Sequence, residues 1–188
     1  MLIYKKGDRC DVANYRPITL LPCLYKLFSS LKNQEISIIL DAEQSMEQAG
    51  FRKSFSTIDH IHTLELLIEK YQERQRALYI AYIDYKKPFD TVSHSSIWKA
   101  LPEQGVAKEY IQILKSIYSN NTGRVKLENV GPSIPIKRGV TQGDPTSLML
   151  FIAVLESIIR ELDWGTSGLN INGFCGMPFL IRNARNVQ

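Results

Sequence analysis

Residues 77–83 read ALYIAYI, a continuous run of apolar, aromatic and branched side chains. The run is too short for a helix of ordinary length, and no polar residue alternates with the apolar ones. It therefore predicts a strand covered on both faces, which only a layered fold can supply. It ends in Asp84, followed by Tyr85, two lysines, Pro88, Phe89 and a second carboxylate, Asp90. An aspartate at a strand end has two readings. It is a turn former satisfied by a backbone amide or by Lys86, or it is a carboxylate held rigidly for chemistry.

The neighbouring patterns are mostly helical. Ser56, with Asp59 three residues later, opens a helix whose apolar positions Ile58, Ile61, Leu64, Leu67, Ile68 and Tyr71 recur at helical spacing, with its end near residues 74–76. Further helices are predicted from about Tyr25 to Leu40, at Ser95–Gln104, at Ala107–Tyr118 and from Pro145 to about Trp164. The stretch before Tyr25 carries Pro17 and Pro22, which favour extended backbone in the residues preceding them. QAGFRKSF, residues 48–55, reads as a basic connector containing glycine. Asn120 to Gly123 reads as a turn, and RVKLEN and SIPIKRGV as paired strands.

The chain has 188 residues and is 44% hydrophobic, enough for one ordinary domain. No apolar run approaches the roughly 18 residues of a membrane span, and the first residues do not read as a secretory signal. Three cysteines, Cys10, Cys23 and Cys175, are odd in number and lack CxxC spacing, which suits reduced thiols in an intracellular protein. Residues 1–34 hold six bases and two acids, a net +4 that equals the excess of the whole chain. A basic front suits a polyanion such as nucleic acid, and equally a solvated basic surface.

Four segments stand in order: KKGDRCDVANYRPITLL, QAGFRKSFSTIDHI, YIDYKKPFDTVSH and GVTQGDPTSLMLF. The last places Gln142, Gly143 and Asp144 where a strand passes into a helix. Glycine there permits close backbone approach, and a helix start offers free N–H groups. Taken alone, it is also an ordinary helix start.

Together, over roughly residues 3 to 173, these segments resemble the reverse transcriptase domain of non-LTR (LINE-type) retrotransposons. The resemblance implies an α+β fold, a right-hand polymerase with a fingers-like region at 1–76 and a partial palm at 77–173. It implies RNA-directed DNA polymerisation, with an RNA template, a DNA primer and dNTPs as partners and no membrane. Two Mg²⁺ ions would activate the primer hydroxyl and stabilise the leaving pyrophosphate. Asp84 matches the first metal carboxylate, carried on a rigid strand as a hard cation requires. Phe89 matches the bulky residue beneath the incoming sugar, and Gln142 and Gly143 the segment against nucleotide and template. Arg16 matches the arginine that meets the triphosphate. Lys5, Lys6, Arg52 and Lys53 are its nucleic-acid contacts, Arg52 suiting template phosphate. Core packing for Phe89, a surface role for Arg16 and a helix cap for Gln142 stand as alternatives. Members of the family act in the nucleus after cytoplasmic synthesis.

Three departures qualify the resemblance. Pro88 stands in place of the usual alanine and has no N–H to offer a triphosphate. Leu148 replaces a proline. The family's aromatic–Ala–Asp–Asp hairpin has no counterpart, since Asp163 is the last acid in the sequence. The chain is thus expected to be a truncated copy, without thumb or endonuclease, its residues 174–188 outside the family pattern and its polymerase activity lost. A non-catalytic RNA- or DNA-binding protein and a non-functional pseudogene product are the alternatives.

Overall fold

The computed structural model describes residues 2–46, 48–52, 54–85, 87–126, 128–162, 170–171 and 174–175; at 16–17, 170–171 and 174–175 this covers the backbone alone. The fold is α+β. Six helices, α1 (Cys23–Glu43), α2 (Thr57–Glu73), α3 (Pro88–Thr91), α4 (His94–Glu103), α5 (Lys108–Ser119) and α6 (Pro145–Glu161), accompany three separate two-stranded antiparallel sheets among the described residues. These sheets pair β1 (Leu2–Tyr4) with β2 (Tyr15–Pro17), β3 (Thr122–Lys126) with β4 (Val130–Pro135), and β5 (Asn170–Ile171) with β6 (Phe174–Cys175). None of the described helices is long and apolar enough to cross a membrane. The chain divides into two units, Met1–Glu43 with Lys87–Ile159, and Gln44–Lys86 with Arg160–Gln188.

The first unit holds the core. Ile36 and Leu40 of α1, Ile97 and Leu101 of α4, Leu114 of α5 and Leu150 of α6 are all nearly or fully inaccessible to water. Each such side chain contributes about 1.5–3 kcal/mol through burial. The helix α6 is buried around much of its circumference, as its run LMLFIAVLESII demands. Asn14 ties β1 to β2 by accepting from the Lys5 N–H at 2.9 Å. The β3–β4 hairpin pairs the two segments expected to pair, with Arg124 opposite Ser133 and a bulge before Lys126, but both strands begin earlier than expected and residues 136–140 form no strand. Its first strand begins at Thr122, so the turn anticipated at 120–123 is complete by Asn121.

In the second unit, Ser56 caps α2 by accepting the Ile58 N–H at 3.1 Å, as its spacing to Asp59 anticipated. Before it, Phe51 and Ser54 both adopt the left-handed region, and the Phe55 N–H donates to the Arg52 carbonyl at 3.3 Å.

The strand expected at Ala77–Ile83 does not form. This segment carries no regular structure and pairs with none of the described strands. Apart from half-buried Leu78, its side chains are open to solvent, Tyr79 94% and Tyr82 82% exposed. The reason is physical: branched and aromatic residues supply the propensity for a strand, but a strand exists only beside a neighbour that takes up its N–H and C=O groups. The tail anticipated from residue 174 lies outside the described residues apart from the backbone of Phe174–Cys175, and Lys53 and Lys86 lie outside them as well.

Candidate functional site

The site begins at the turn that presents Phe89. Lys87 adopts φ 51°, the left-handed region, and Pro88 follows at the first position of α3. Proline suits that position because its missing N–H would have had no helical partner and its φ is already helical. Phe89, half-buried, packs its ring 5.2 Å from that of Phe151 on α6. Two main-chain bonds then tie this turn to the segment preceding α6. The Gly139 N–H donates to the Val92 carbonyl at 2.7 Å, and the Val140 N–H to the Phe89 carbonyl at 2.8 Å. Gly139 sits at φ +86°, where a Cβ would lie 3.0 Å from the Phe89 and Asp90 carbonyl oxygens. His94 Nε2 donates to the Gly139 carbonyl at 2.9 Å and braces the junction from α4.

The same segment continues through Gln142, Gly143 and Asp144. The Thr19 N–H donates to the Gln142 carbonyl at 3.1 Å, bringing the stretch that follows Arg16 against it. Gly143 has φ +108°, with the Thr19 carbonyl 3.0 Å from where a Cβ would stand. Asp144 is buried and caps α6, accepting the Thr146 N–H at 3.1 Å on Oδ1. Ser29 also donates to Oδ1, and Tyr25 Oη donates to Oδ2 at 2.7 Å. Burial raises the Tyr25 hydroxyl far above its ordinary pKa, and the hydrogen bond to Asp144 and its charge add to this. The Tyr118 hydroxyl is pushed up to about 12, chiefly by burial and further by the Asp144 charge.

The pair holding Asp144 escaped the sequence reading. Its only local signal is Tyr25 and Ser29 at i, i+4, two hydroxyls one turn apart on α1.

Lys5, Lys6 and Arg9 are exposed on the loop between β1 and β2 and form no ion pair among the described residues. The acids beside them serve the backbone: Asp8 accepts the Cys10 N–H at 2.9 Å and Asp11 the Ala13 N–H at 2.8 Å. Arg9 lies over the Tyr4 ring, 5.4 Å from its centre. Arg16 is paired with Ile3 across the β1–β2 ladder.

Phe89, Gln142, Gly143 and the backbone of Arg16 thus share the first unit with Lys5 and Lys6, while Asp84 and Arg52 belong to the second. There Arg52 donates from Nη1 to the Ser45 carbonyl at 2.9 Å and lies over the Phe55 ring, 4.1 Å from its centre. Asp84 is exposed on the irregular segment described above.

The described residues do not fit a two-magnesium centre. They contain no group of three or more Asp, Glu, His or Cys side chains that could hold an ion. Both oxygens of Asp144 already accept hydrogen bonds from the protein.

The reverse transcriptase (RNA-dependent DNA polymerase) family matches residues 3–174. A retrovirus-related Pol polyprotein from the type-1 retrotransposable element R2 of Popillia japonica is 32% identical over 166 residues, 86% of this chain and 23% of that protein. The corresponding polyprotein of Nasonia vitripennis is 30% identical over 172 residues, 90% of this chain and 16% of its own length. The RNA-directed DNA polymerase from the mobile element jockey of Drosophila melanogaster is 28% identical over 172 residues, 87% of this chain and 19% of its length. The chain therefore spans less than a quarter of the length of these curated relatives. With its motif segments in order and the match running through nearly all its length, the chain belongs to the reverse transcriptase family, among the non-LTR retrotransposon proteins.

Proposed function

We propose that these 188 residues form the nucleotide- and template-facing part of an RNA-directed DNA polymerase domain. In this reading residues 1–76 are fingers-like and residues 77–173 a partial palm, with α1 of the former lending Ile36 and Leu40 to the core built on α4, α5 and α6. Arg16, Phe89, Gln142 and Gly143 face the incoming dNTP. Lys5, Lys6, Arg52 and Lys53 meet the RNA template and DNA primer. The observation that carries the reading is the set of main-chain bonds joining three motif segments, Thr19 to Gln142 and Phe89 to Val140. Asp84 is the one metal carboxylate of the family's three at a matching position, so the 188-residue polypeptide by itself binds its substrates without extending a primer. Magnesium belongs to the family's chemistry.

Photo-crosslinking with an azido-dNTP, mapped by mass spectrometry, tests the nucleotide-facing assignment. Adducts are expected at Phe89 and within residues 139–143. Labelling confined to other peptides would overturn it.

A second reading, a non-catalytic RNA- or DNA-binding role, is favoured by the exposed Lys5 and Lys6, whose acidic neighbours are engaged by the backbone. It predicts heteroduplex affinity that falls steeply with salt. Removing one phosphate-contacting base, by Arg16→Ala or Lys6→Ala, should lower the slope by about one unit. Affinity indifferent to salt would count against it.

A further inference from the structure

We propose that Asp144 is a positioning residue whose buried carboxylate, gripped from α1 by Tyr25 and Ser29, fixes the Gln142–Gly143 edge against the chain leading into α1. The proposal rests on the reading of Gln142 and Gly143 as the nucleotide-facing edge.

Capping a helix requires one acceptor, which Asn, Ser or Thr supplies as well as Asp. Asp144 accepts three hydrogen bonds, from the Thr146 N–H and from two hydroxyls of another helix. Only an ionised carboxylate accepts on both oxygens without presenting a donor of its own. Its burial, 6% exposed, costs free energy that capping alone does not explain. The donors of α1 and the positive end of α6 offset that cost.

The geometry shows what the grip accomplishes. Gln142 and Asp144 flank Gly143 and are tied to neighbouring parts of one stretch of chain. Thr19, shortly before α1, holds the Gln142 carbonyl. Tyr25 and Ser29, in the first turns of α1, hold the Asp144 side chain. Gly143, between the two ties, leaves no room for a Cβ against Thr19. Both ends of the Gln142–Gly143 edge are thus tied to one short stretch of chain, residues 19–29, which follows Arg16 of β2.

Asp144→Asn separates the two roles, since it retains a capping oxygen but turns an amide donor towards at least one hydroxyl. Tyr25→Phe removes one grip and leaves the cap untouched. Ser29→Thr keeps the hydroxyl and serves as the conservative control. Amide hydrogen exchange on the 188-residue chain is the readout, with Ile152, Ala153 and Val154 inside α6 as internal reference. Asp144→Asn and Tyr25→Phe should each lower protection of the Thr19 amide about tenfold and leave the α6 reference within about twofold. The double variant should lose little more than Asp144→Asn alone. Ser29→Thr should preserve protection.

Unchanged Thr19 exchange in Tyr25→Phe and Asp144→Asn would overturn the proposal. So would an equal loss at Thr19 and throughout α6, which would make Asp144 a general stabiliser. The azido-dNTP label on residues 142–143 should weaken in the same variants. Failure of the unsubstituted chain to take that label would remove the nucleotide reading, while the exchange result decides the positioning role by itself.

Discussion

The main-chain N–H of Val140 donates to the carbonyl of Phe89 at 2.8 Å, joining two motif segments that lie far apart in the sequence. Gly139 makes the approach possible, because at φ +86° and 3.0 Å from the Phe89 carbonyl any Cβ meets both backbone strain and a clash. Gly139→Ala should therefore cost about 1–3 kcal/mol of stability. Gly123→Ala, which meets only the movable Ile136 side chain in an exposed hairpin, should stay within about 0.5 kcal/mol of the parent. Urea unfolding midpoints of the two variants decide the point.

Alkaline pH should weaken the first unit. Tyrosine in the unfolded chain ionises near 10.0, whereas the buried Tyr118 holds its proton to about 12. Tyr25 is raised in the same direction. The folded chain thus binds more protons than the unfolded chain between these values, so stability is complete below pH 10 and falls as pH rises through the window. For Tyr118 the loss is about 1 kcal/mol at about pH 11. Tyr118→Phe should flatten the decline between about pH 8 and about pH 11 by that amount, measured as the change in urea midpoint with pH. An identical decline in parent and variant would contradict the assignment.

The exposed run from Tyr79 to Tyr85 predicts self-association. It combines strand-forming side chains with low charge and no proline, and its backbone finds no ladder among the described residues. Ile80→Lys with Ile83→Lys should reduce aggregation in light scattering while leaving the melting temperature of the soluble fraction unchanged. Both positions are exposed, so a marked fall in melting temperature would show that the run packs where the structure leaves it open.

This run also marks the boundary of what sequence could reveal. Helix α2 was legible because its signals are local: the Ser56 cap, Asp59 in the first turn and apolar residues at helical spacing. The β3–β4 hairpin was legible for the same reason, its two strands lying close in sequence. Ala77–Ile83 has the local pattern of a buried strand, but burial and pairing are properties of neighbours that the pattern cannot contain. The site divides likewise. Phe89, Gln142 and Gly143 came from motif order, and Asp144 was rightly placed at the start of α6. The hold of Tyr25 and Ser29 on it reaches across 119 and 115 residues of sequence and leaves no periodic trace.

Primer extension on the purified 188-residue chain decides whether these residues extend a primer or only bind it. An RNA template annealed to a DNA primer would be incubated with dNTPs and Mg²⁺ or Mn²⁺, beside an Asp84→Asn control. On the proposed reading, Asp84 by itself leaves the charge of two metal ions largely unneutralised, so heteroduplex binding with no incorporation above the control is expected. Incorporation that depends on Asp84 would contradict it.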